Sequence, residues 1–542
     1  MRHSRSTLFV GAGAAAAALT AAVVLWPDGS GGSNGPAGSA LTRTGTDGKS
    51  PTAASTPTPT PTPARSYALS TAPRTIPAVR AHEAARGPGW RPTASSAVVV
   101  APGSEALADE ARLLAGELRI EYRGPAAARP GDVTLALETA RQAAPESYTL
   151  TTRADRVTVS GPDEAGVFYG TRTLKQAVRV DGALPEGTVR DRPAKPQRGL
   201  NLDIARKHFS AEWIEDRLRE MADLKLNQLG LHFSDDQGFR IESLSHPEVV
   251  SAERLTRAEV RRIVALAARL HIEVVPEIDS PGHLGAVMRA HPRLQLRDRQ
   301  GAASRGAVDI SDPAAARIVD DLLKEYTALF PGAYWHLGAD EYRALTVRDP
   351  EGAYPQLARA AAKAYGEGAG VADLATGWLN DRAAVVRAAG KKPKAWNDGL
   401  FRGGRVAADG DIEVEYWTGK ELGQRDPEEY LREGRRMVNL NDEYLYYVLG
   451  EPNTFQYPTG RRIYNDWTPL LVRGSTTPVP EKYAAQILGG RLAVWCDYAN
   501  AQTPAQVARG IRMPLRAVAQ KLWTPGRPAL SWERFAALGE RL

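Results

Sequence analysis

From residue 193 onward, short apolar runs alternate with stretches whose apolar positions recur every three to four residues. The runs at 199–205, 228–234, 273–278, 334–338, 393–397, 412–417, 437–440 and 491–495 read as buried strands, with amphipathic helices between them. Ser210 precedes a helix reaching 224, Thr256 with Glu259 three residues on forms the capping signature of one reaching 270, and Ser311 precedes one reaching 330. Eight strand-then-helix repeats predict a closed (β/α)8 TIM barrel spanning 193–542, an α/β fold. The pattern differs over 71–192. Strands at 97–100, 132–136, 147–152 and 156–160 join helices at 104–118 and 163–180, and the last two strands alternate as a half-buried hairpin does. These elements predict a small α+β domain with its helices on one face of the sheet.

The first 70 residues follow neither rhythm. Met1-Arg-His-Ser-Arg5 is basic and 8–26 is apolar and Ala-rich, so 1–26 reads as a signal peptide or an uncleaved membrane anchor. No A-x-A site directly precedes Pro27, and Arg2 and Arg5 place the remainder outside by the positive-inside bias. Residues 27–70 form a Gly, Ser, Thr and Pro-rich linker ending in Pro57-Thr-Pro-Thr-Pro-Thr-Pro63, an extended spacer that buries no core. The expectation is a secreted protein or one tethered to the cell membrane by its N-terminus.

Composition narrows the classes. A hydrophobic share of 43% in 542 residues supports two folded domains rather than a disordered chain. The 69 basic and 63 acidic residues are dispersed, so the net +6 builds no continuous basic face and nucleic acid is not an expected partner. A lone cysteine, Cys496, excludes an intramolecular disulfide and a cysteine-rich zinc site.

In such barrels, chemistry collects at the carboxyl ends of the strands. Those ends carry Asp203 and Arg206; Asp235 and Asp236; Glu277, Asp279 and His283; His336, Asp340 and Glu341; Trp396, Asn397 and Asp398; Trp417; Asn441 and Tyr444; and Trp495 and Asp497. Carboxylates mixed with indoles suit a sugar, whose ring has an apolar face and a hydroxyl rim. Any one of these residues alone reads as a cap, a turn or core. Their coincidence at every strand end favours a site.

His336-Leu-Gly-Ala-Asp-Glu341 resembles the fourth-strand motif of glycoside hydrolase family 20. The likeness extends to Arg198 through Phe209, to His232-Phe-Ser-Asp-Asp-Gln-Gly-Phe-Arg240, to Pro276-Glu-Ile-Asp-Ser-Pro-Gly-His283 and to Lys394-Ala-Trp-Asn-Asp-Gly399. It continues through Glu413-Val-Glu-Tyr-Trp417, Asn441 through Tyr447, and Ala493-Val-Trp-Cys-Asp497, and upstream through Ala165-Gly-Val-Phe-Tyr-Gly170. The resemblance implies an exo-acting, retaining β-N-acetylhexosaminidase that needs no cofactor and no metal and acts on glycans ending in an N-acetylhexosamine. By the same resemblance, Glu341 is the acid/base, Asp340 orients the substrate's 2-acetamido group, and Asp235 and His283 support the acid/base. Arg206 binds sugar hydroxyls, Trp396, Trp417 and Trp495 enclose the acetamido methyl, Tyr444 binds the acetamido oxygen, and His336 and Asp497 complete the substrate set. Adjacent residues on a strand diverge, so Asp340 and Glu341 fit poorly as the two carboxyls, about 5 Å apart, of a conventional retaining enzyme. They fit a mechanism in which the acetamido oxygen is the nucleophile.

Departures from the family pattern are Lys207, Tyr446 where many members carry a carboxylate, and Asp497 where others carry Glu. They lean toward the dispersin-like and lacto-N-biosidase-like branch and leave the choice between GlcNAc and GalNAc open. Two rival classes stand beside this one. A metal-dependent barrel hydrolase would draw on His232, Asp235, His283, His336 and Asp340, although no H-x-H or H-E-x-x-H spacing occurs. A catalytically inactive carbohydrate-binding protein is the other, and the intact Asp340-Glu341 pair argues against it.

Overall fold

Seven strands form the sheet of the N-terminal domain: β1 (Ala81–Ala84), β2 (Ala97–Val100), β3 (Glu121–Pro125), β4 (Val133–Leu137), β5 (Tyr148–Arg153), β6 (Arg156–Gly161) and β7 (Gly187–Asp191). Their order is β1-β7-β5-β6-β4-β2-β3, parallel from β6 to β3 and antiparallel across β5 and β7. Helices Ala108–Leu118 and Glu164–Asp181 pack on this sheet and on each other. Asp163 caps the longer helix by accepting from Gly166 N. The computed structural model describes residues 66–138, 143–420 and 424–542. The expected leader 1–26 and nearly all of the spacer lie outside them, and among the described residues no helix is long and apolar enough to cross a membrane.

Eight parallel strands then close the barrel: β8 (Gln197–Asp203), β9 (Gln228–His232), β10 (Glu273–Glu277), β13 (Tyr334–His336), β14 (Lys392–Trp396), β15 (Glu413–Tyr416), β16 (Met437–Asn439) and β18 (Ile487–Trp495). A hairpin of β11 (Gln295–Arg297) and β12 (Ala303–Val308) decorates the β10 loop, and β17 (Tyr446–Val448) runs parallel to the end of β18. Closure follows from β18, which pairs with both β8 and β16. Each of the eight expected strands is present. The unforeseen β1 and β3 mix exposed and half-buried positions, and β7 buries Val189 as its one large apolar side chain, so they carry a weak apolar signal.

Capping held at two of three helix starts. Ser210 accepts from Trp213 N, and Thr256 with Glu259 makes the reciprocal capping box. Ser311 is not the third cap. Pro313 occupies the first helical turn, Asp312 accepts from Ala314 N, and Ser311 Oγ donates to Asp309 Oδ1 instead at 2.6 Å.

Much of the barrel interior is charged. Lys394 Nζ lies 2.9 Å from Glu413 and 3.3 Å from Glu415, while Arg491 Nη1 reaches Glu415 at 3.0 Å. All four side chains are essentially sealed from solvent, so each is tolerated only because its partner is present. The junction with the N-terminal domain uses the same device. Buried Lys225 donates to Tyr148 and Thr173 at 2.9 and 2.8 Å beneath the Trp523 ring, and Arg198 forks onto Glu146 at 2.9 and 3.0 Å. Residues 66–542 therefore form one compact unit.

Candidate active site

One half of the barrel mouth is built from ion pairs. Arg206 Nη1 donates to Asp203 Oδ2 at 3.0 Å and its Nη2 lies 2.8 Å from Asp235 Oδ2. Asp235 is fully buried, and its second oxygen meets His283 Nδ1 at 3.3 Å. His232 lies behind it, with Nε2 2.8 Å from Asp235 and Nδ1 3.1 Å from Glu277. Burial alone would lower the His232 pKa, but the flanking Glu277 and Asp235 hold it up to about 10. The same partners act in reverse on Asp235, where burial is overridden by His283 and Arg206 and the carboxyl stays well below its usual range.

His283 faces the next segment. Its Nε2 lies 3.5 Å from Asp340 Oδ2 and 3.4 Å from Glu341 Oε2, so the two carboxylates converge on one imidazole. The strand-like divergence expected of neighbours does not apply, because β13 ends at His336 and the chain turns. Gly338 (φ 68°), Ala339 (φ 79°) and Glu341 (φ 48°) all sit in the left-handed region. A Cβ on Gly338 would fall 1.7 Å from Asp279 Oδ1, an oxygen that accepts from Ala339 N at 2.9 Å. Only glycine lets this carboxylate dock under the turn.

Asp279 is itself sealed, and burial together with the nearby Asp340 pushes its carboxyl well above the usual range. Burial likewise raises the carboxyl of Asp340 beside it. Among the described residues, the buried Asp340 Oδ1 has no hydrogen-bond partner. Glu341 is held below the usual carboxylate range, chiefly by its hydrogen bond from His283, and its side chain is 43% exposed at the mouth.

The other half of the mouth is aromatic. Trp417 and Tyr446 stack with planes 2° apart and centroids at 5.8 Å, Trp495 tilts against Tyr446 at 5.8 Å, and Trp396 tilts against Trp495 at 5.8 Å. Trp396 Nε1 donates to Glu277 at 2.7 Å, which ties the two halves together. Asp398 makes a second tie, accepting from Glu341 N at 2.8 Å and from Trp417 Nε1 at 2.9 Å. Burial, reinforced by Asp340, raises Asp398 to about 8.

The residues expected at the site fall into three groups. Arg206, Asp235, His283, Asp340, Glu341, Trp396, Trp417 and Trp495 line or directly support one mouth, and exposed Asp497 is close enough to Arg206 to raise its pKa. His336 is one layer too deep to hold a sugar. It is nearly sealed, between Glu277 at 3.3 Å and the Trp396 ring at 4.5 Å, and braces them from below. Tyr444 points elsewhere, its hydroxyl donating to Ser475 O at 3.1 Å and its ring lying under Arg462. The pocket tyrosine is Tyr446, whose hydroxyl is held well above its usual pKa by burial and then by Asp442 and Asp340.

Asp279, Asp398, His232 and Glu277 are the members that site assignment from sequence passed over. All four stand at strand ends in quoted motifs, which is the signal that could have found them. The candidate metal set of the rival hydrolase is only partly assembled. Of that set only His283 and Asp340 fall in one group of possible ligands, within 4.8 Å of each other and of Asp279, which was not among them, and His283 is committed to carboxylates on both sides.

Known proteins share this architecture. A lacto-N-biosidase of Bifidobacterium bifidum is 31% identical over 475 residues, 86% of this chain and 41% of that protein. A β-hexosaminidase of Porphyromonas gingivalis is 25% identical over 491 residues, 82% of this chain and 59% of that one. The chain thus spans about two fifths to three fifths of the length of these curated relatives. The crystal structure of an exo β-N-acetylglucosaminidase from Vibrio harveyi, in complex with N-acetylglucosamine, superposes with a TM-score of 0.71 at 20% identity, covering 89% of this chain and 79% of that one. Residues 196–526 match the glycosyl hydrolase family 20 catalytic domain and residues 72–192 match domain 2 of the same family. A barrel closed by eight strands, preceded by that domain, therefore makes this chain a member of glycosyl hydrolase family 20.

Proposed function

We propose that the chain is an exo-acting, retaining β-N-acetylhexosaminidase that uses the substrate's own acetamido oxygen as nucleophile. The observation that carries this reading is the pairing of a partnerless, buried Asp340 Oδ1 with an aromatic box, both beside a mouth-exposed Glu341. An acetamido group supplies what each lacks: an N–H for Asp340 and a methyl for the enclosure of Trp396, Trp417, Tyr446 and Trp495. The amide oxygen attacks the anomeric carbon as Glu341 protonates the leaving oxygen, giving a cyclic oxazolinium ion. Positive charge then develops on the nitrogen, and the Asp340 hydrogen bond becomes charge-assisted. Glu341, now a carboxylate, takes a proton from the water that opens the ring, so configuration is retained.

In the free chain Glu341 is paired with His283 and ionised. A sugar seated over the mouth excludes water, which penalises the charged form and favours the protonated acid. Arg206, pinned by Asp203 and Asp235 with Asp497 at the rim, is placed to grip hydroxyls at the closed end of the pocket, which supports removal of terminal residues. The likeness to a lacto-N-biosidase supports a second substrate reading, release of a disaccharide, which comparing lacto-N-biosides with simple N-acetylhexosaminides decides.

A thiazoline analogue of the cyclic intermediate tests the mechanism. The wild type should bind it tightly and Asp340→Asn should bind it about 10–100-fold more weakly, the worth of one charged hydrogen bond. A 2-fluoro sugar that instead trapped a covalent ester on any carboxylate would overturn the proposal.

A further inference from the structure

Two copies of one short motif meet away from the catalytic mouth. His246-Pro247 opens a 3-10 turn at Pro247–Val249 in the loop after β9, and His291-Pro292 opens another at Pro292–Leu294 in the loop after β10. The following proline keeps each histidine out of the helical region, at φ −135°, ψ 65° and φ −125°, ψ 61°. The two histidines share nearly the same backbone conformation, and both rings turn toward one carboxylate. Glu248 Oε1 lies 2.9 Å from His246 Nδ1 and 2.9 Å from His291 Nε2, and the rings meet edge to face with centroids at 6.1 Å.

The geometry points to a site for one zinc-class divalent cation, held by His246 Nδ1, His291 Nε2 and Glu248 Oε1, that clips the β9 loop to the β10 loop. Ligands of a tetrahedral zinc at about 2.0–2.2 Å stand roughly 3.3 Å apart. Each histidine–Glu248 distance needs to lengthen only by a few tenths of an ångström to admit an ion, and all three ligand atoms already lie within 4.8 Å of one another. All three side chains remain partly open, His246 at 16%, His291 at 27% and Glu248 at 42% exposure, which leaves room for water as the fourth ligand. Asp321 Oδ2, on the helix Pro313–Leu329, stands 3.8 Å from His246 Nε2. A carboxylate behind the far ring nitrogen is the usual outer partner of a metal-bound histidine, keeping the proton there and the lone pair inward. Two imidazoles with one carboxylate select zinc, nickel or copper over calcium or magnesium, which prefer all-oxygen sets.

The clip would act on the segment that carries His283. Between His283 and His291 runs the helix Gly285–Ala290, whose start is already tied to the β9 loop by Gly285 N to Asp236 Oδ1 at 3.0 Å and Ala286 N to Asp235 O at 3.2 Å. An ion at His291 would fix the other end. Both loops that hold Asp235 and His283 would then be fastened at two points, without any ligand in the reaction itself.

The test is zinc binding to the metal-stripped full chain. Calorimetry should find one equivalent of Zn²⁺, a Tm higher by at least about 2 °C under a hundredfold excess over the dissociation constant, and hydrolysis of a chromogenic N-acetylhexosaminide unchanged within about twofold. Co²⁺ in its place should give a visible absorption band from a low-symmetry nitrogen and oxygen site, a readout that needs no variant. His291→Ala and His246→Gln should each abolish binding while keeping the near-ultraviolet dichroism and activity of the metal-free chain. Absence of binding in the wild type would overturn the inference. So would binding that survives both substitutions, or binding that stops turnover, which would put the ion at Asp279, His283 and Asp340 instead.

Discussion

The two halves of the barrel mouth solve the same positioning problem by opposite means. On the side of β8, β9 and β10, Arg206, Asp235, His232, Glu277 and His283 each touch at least two ionisable partners, and the chain of contacts runs on through His336 into the buried Glu415, Lys394 and Arg491. On the side of β14 to β18, Trp396, Trp417, Tyr446 and Trp495 are set by ring contacts and a few indole donors. The charged half is precise but brittle, because any deletion strands a buried ion. The aromatic half degrades gradually, since dispersion and burial are lost in proportion to area.

The sharpest way to break this contrast is Asp235→Asn. It removes one charge and leaves Arg206, His232 and His283 crowded together without their common counter-ion. Loss of a buried partner of this kind costs about 3–5 kcal/mol. Denaturant unfolding should show that loss, and turnover should collapse with it. A variant that unfolds at the wild-type midpoint would mean that the charged half is no more tightly coupled than the aromatic one.

Alkaline pH probes the same half without substituting it. His232 is raised to about 10 in the folded chain from an ordinary 6.5, so its stabilisation is complete below about 6.5 and is lost as pH rises through about 10. Lys225, lowered to about 8 by burial, gives the opposite slope between about 8 and 10.5. Subtracting the stability profile of His232→Gln from that of wild type removes the lysine contribution. The difference should be a few kcal/mol at pH 6 and shrink toward zero near pH 10, with the unfolding midpoint in urea as the readout. A difference independent of pH would detach His232 from Glu277 and Asp235.

The smallest expected effect sharpens the aromatic side. Tyr446→Phe keeps the stack on Trp417 and removes one hydroxyl, so kcat/KM should fall about tenfold, the worth of one hydrogen bond. Tyr444→Phe should leave kcat/KM within about twofold of wild type and act, if at all, on stability through the lost bond to Ser475 O. The reverse ranking would return the acetamido role to Tyr444.

Hydrophobic periodicity by itself determined the eight barrel strands, the amphipathic helices between them and the hairpin of β5 with β6, because a buried strand or helix must repeat its apolar positions with a fixed period. Motif spacing likewise placed Asp235, His283, Asp340 and Glu341 at strand ends on one face of the barrel. Only the tertiary structure separated Tyr446 from Tyr444. The two are two residues apart and would share a face on a strand, but the bonds from Tyr444 N and Leu445 N to Asn441 O make 441–445 a turn, and β17 starts afresh at Tyr446. It also decided that Asp340 and Glu341 converge on His283, since left-handed residues at 338, 339 and 341 override strand alternation. The sealed Asp279, the bridging Asp398 and the depth of His336 were decided in the same way. Burial and charge neighbourhood arise only when strands distant in sequence are brought side by side, and no local pattern encodes them.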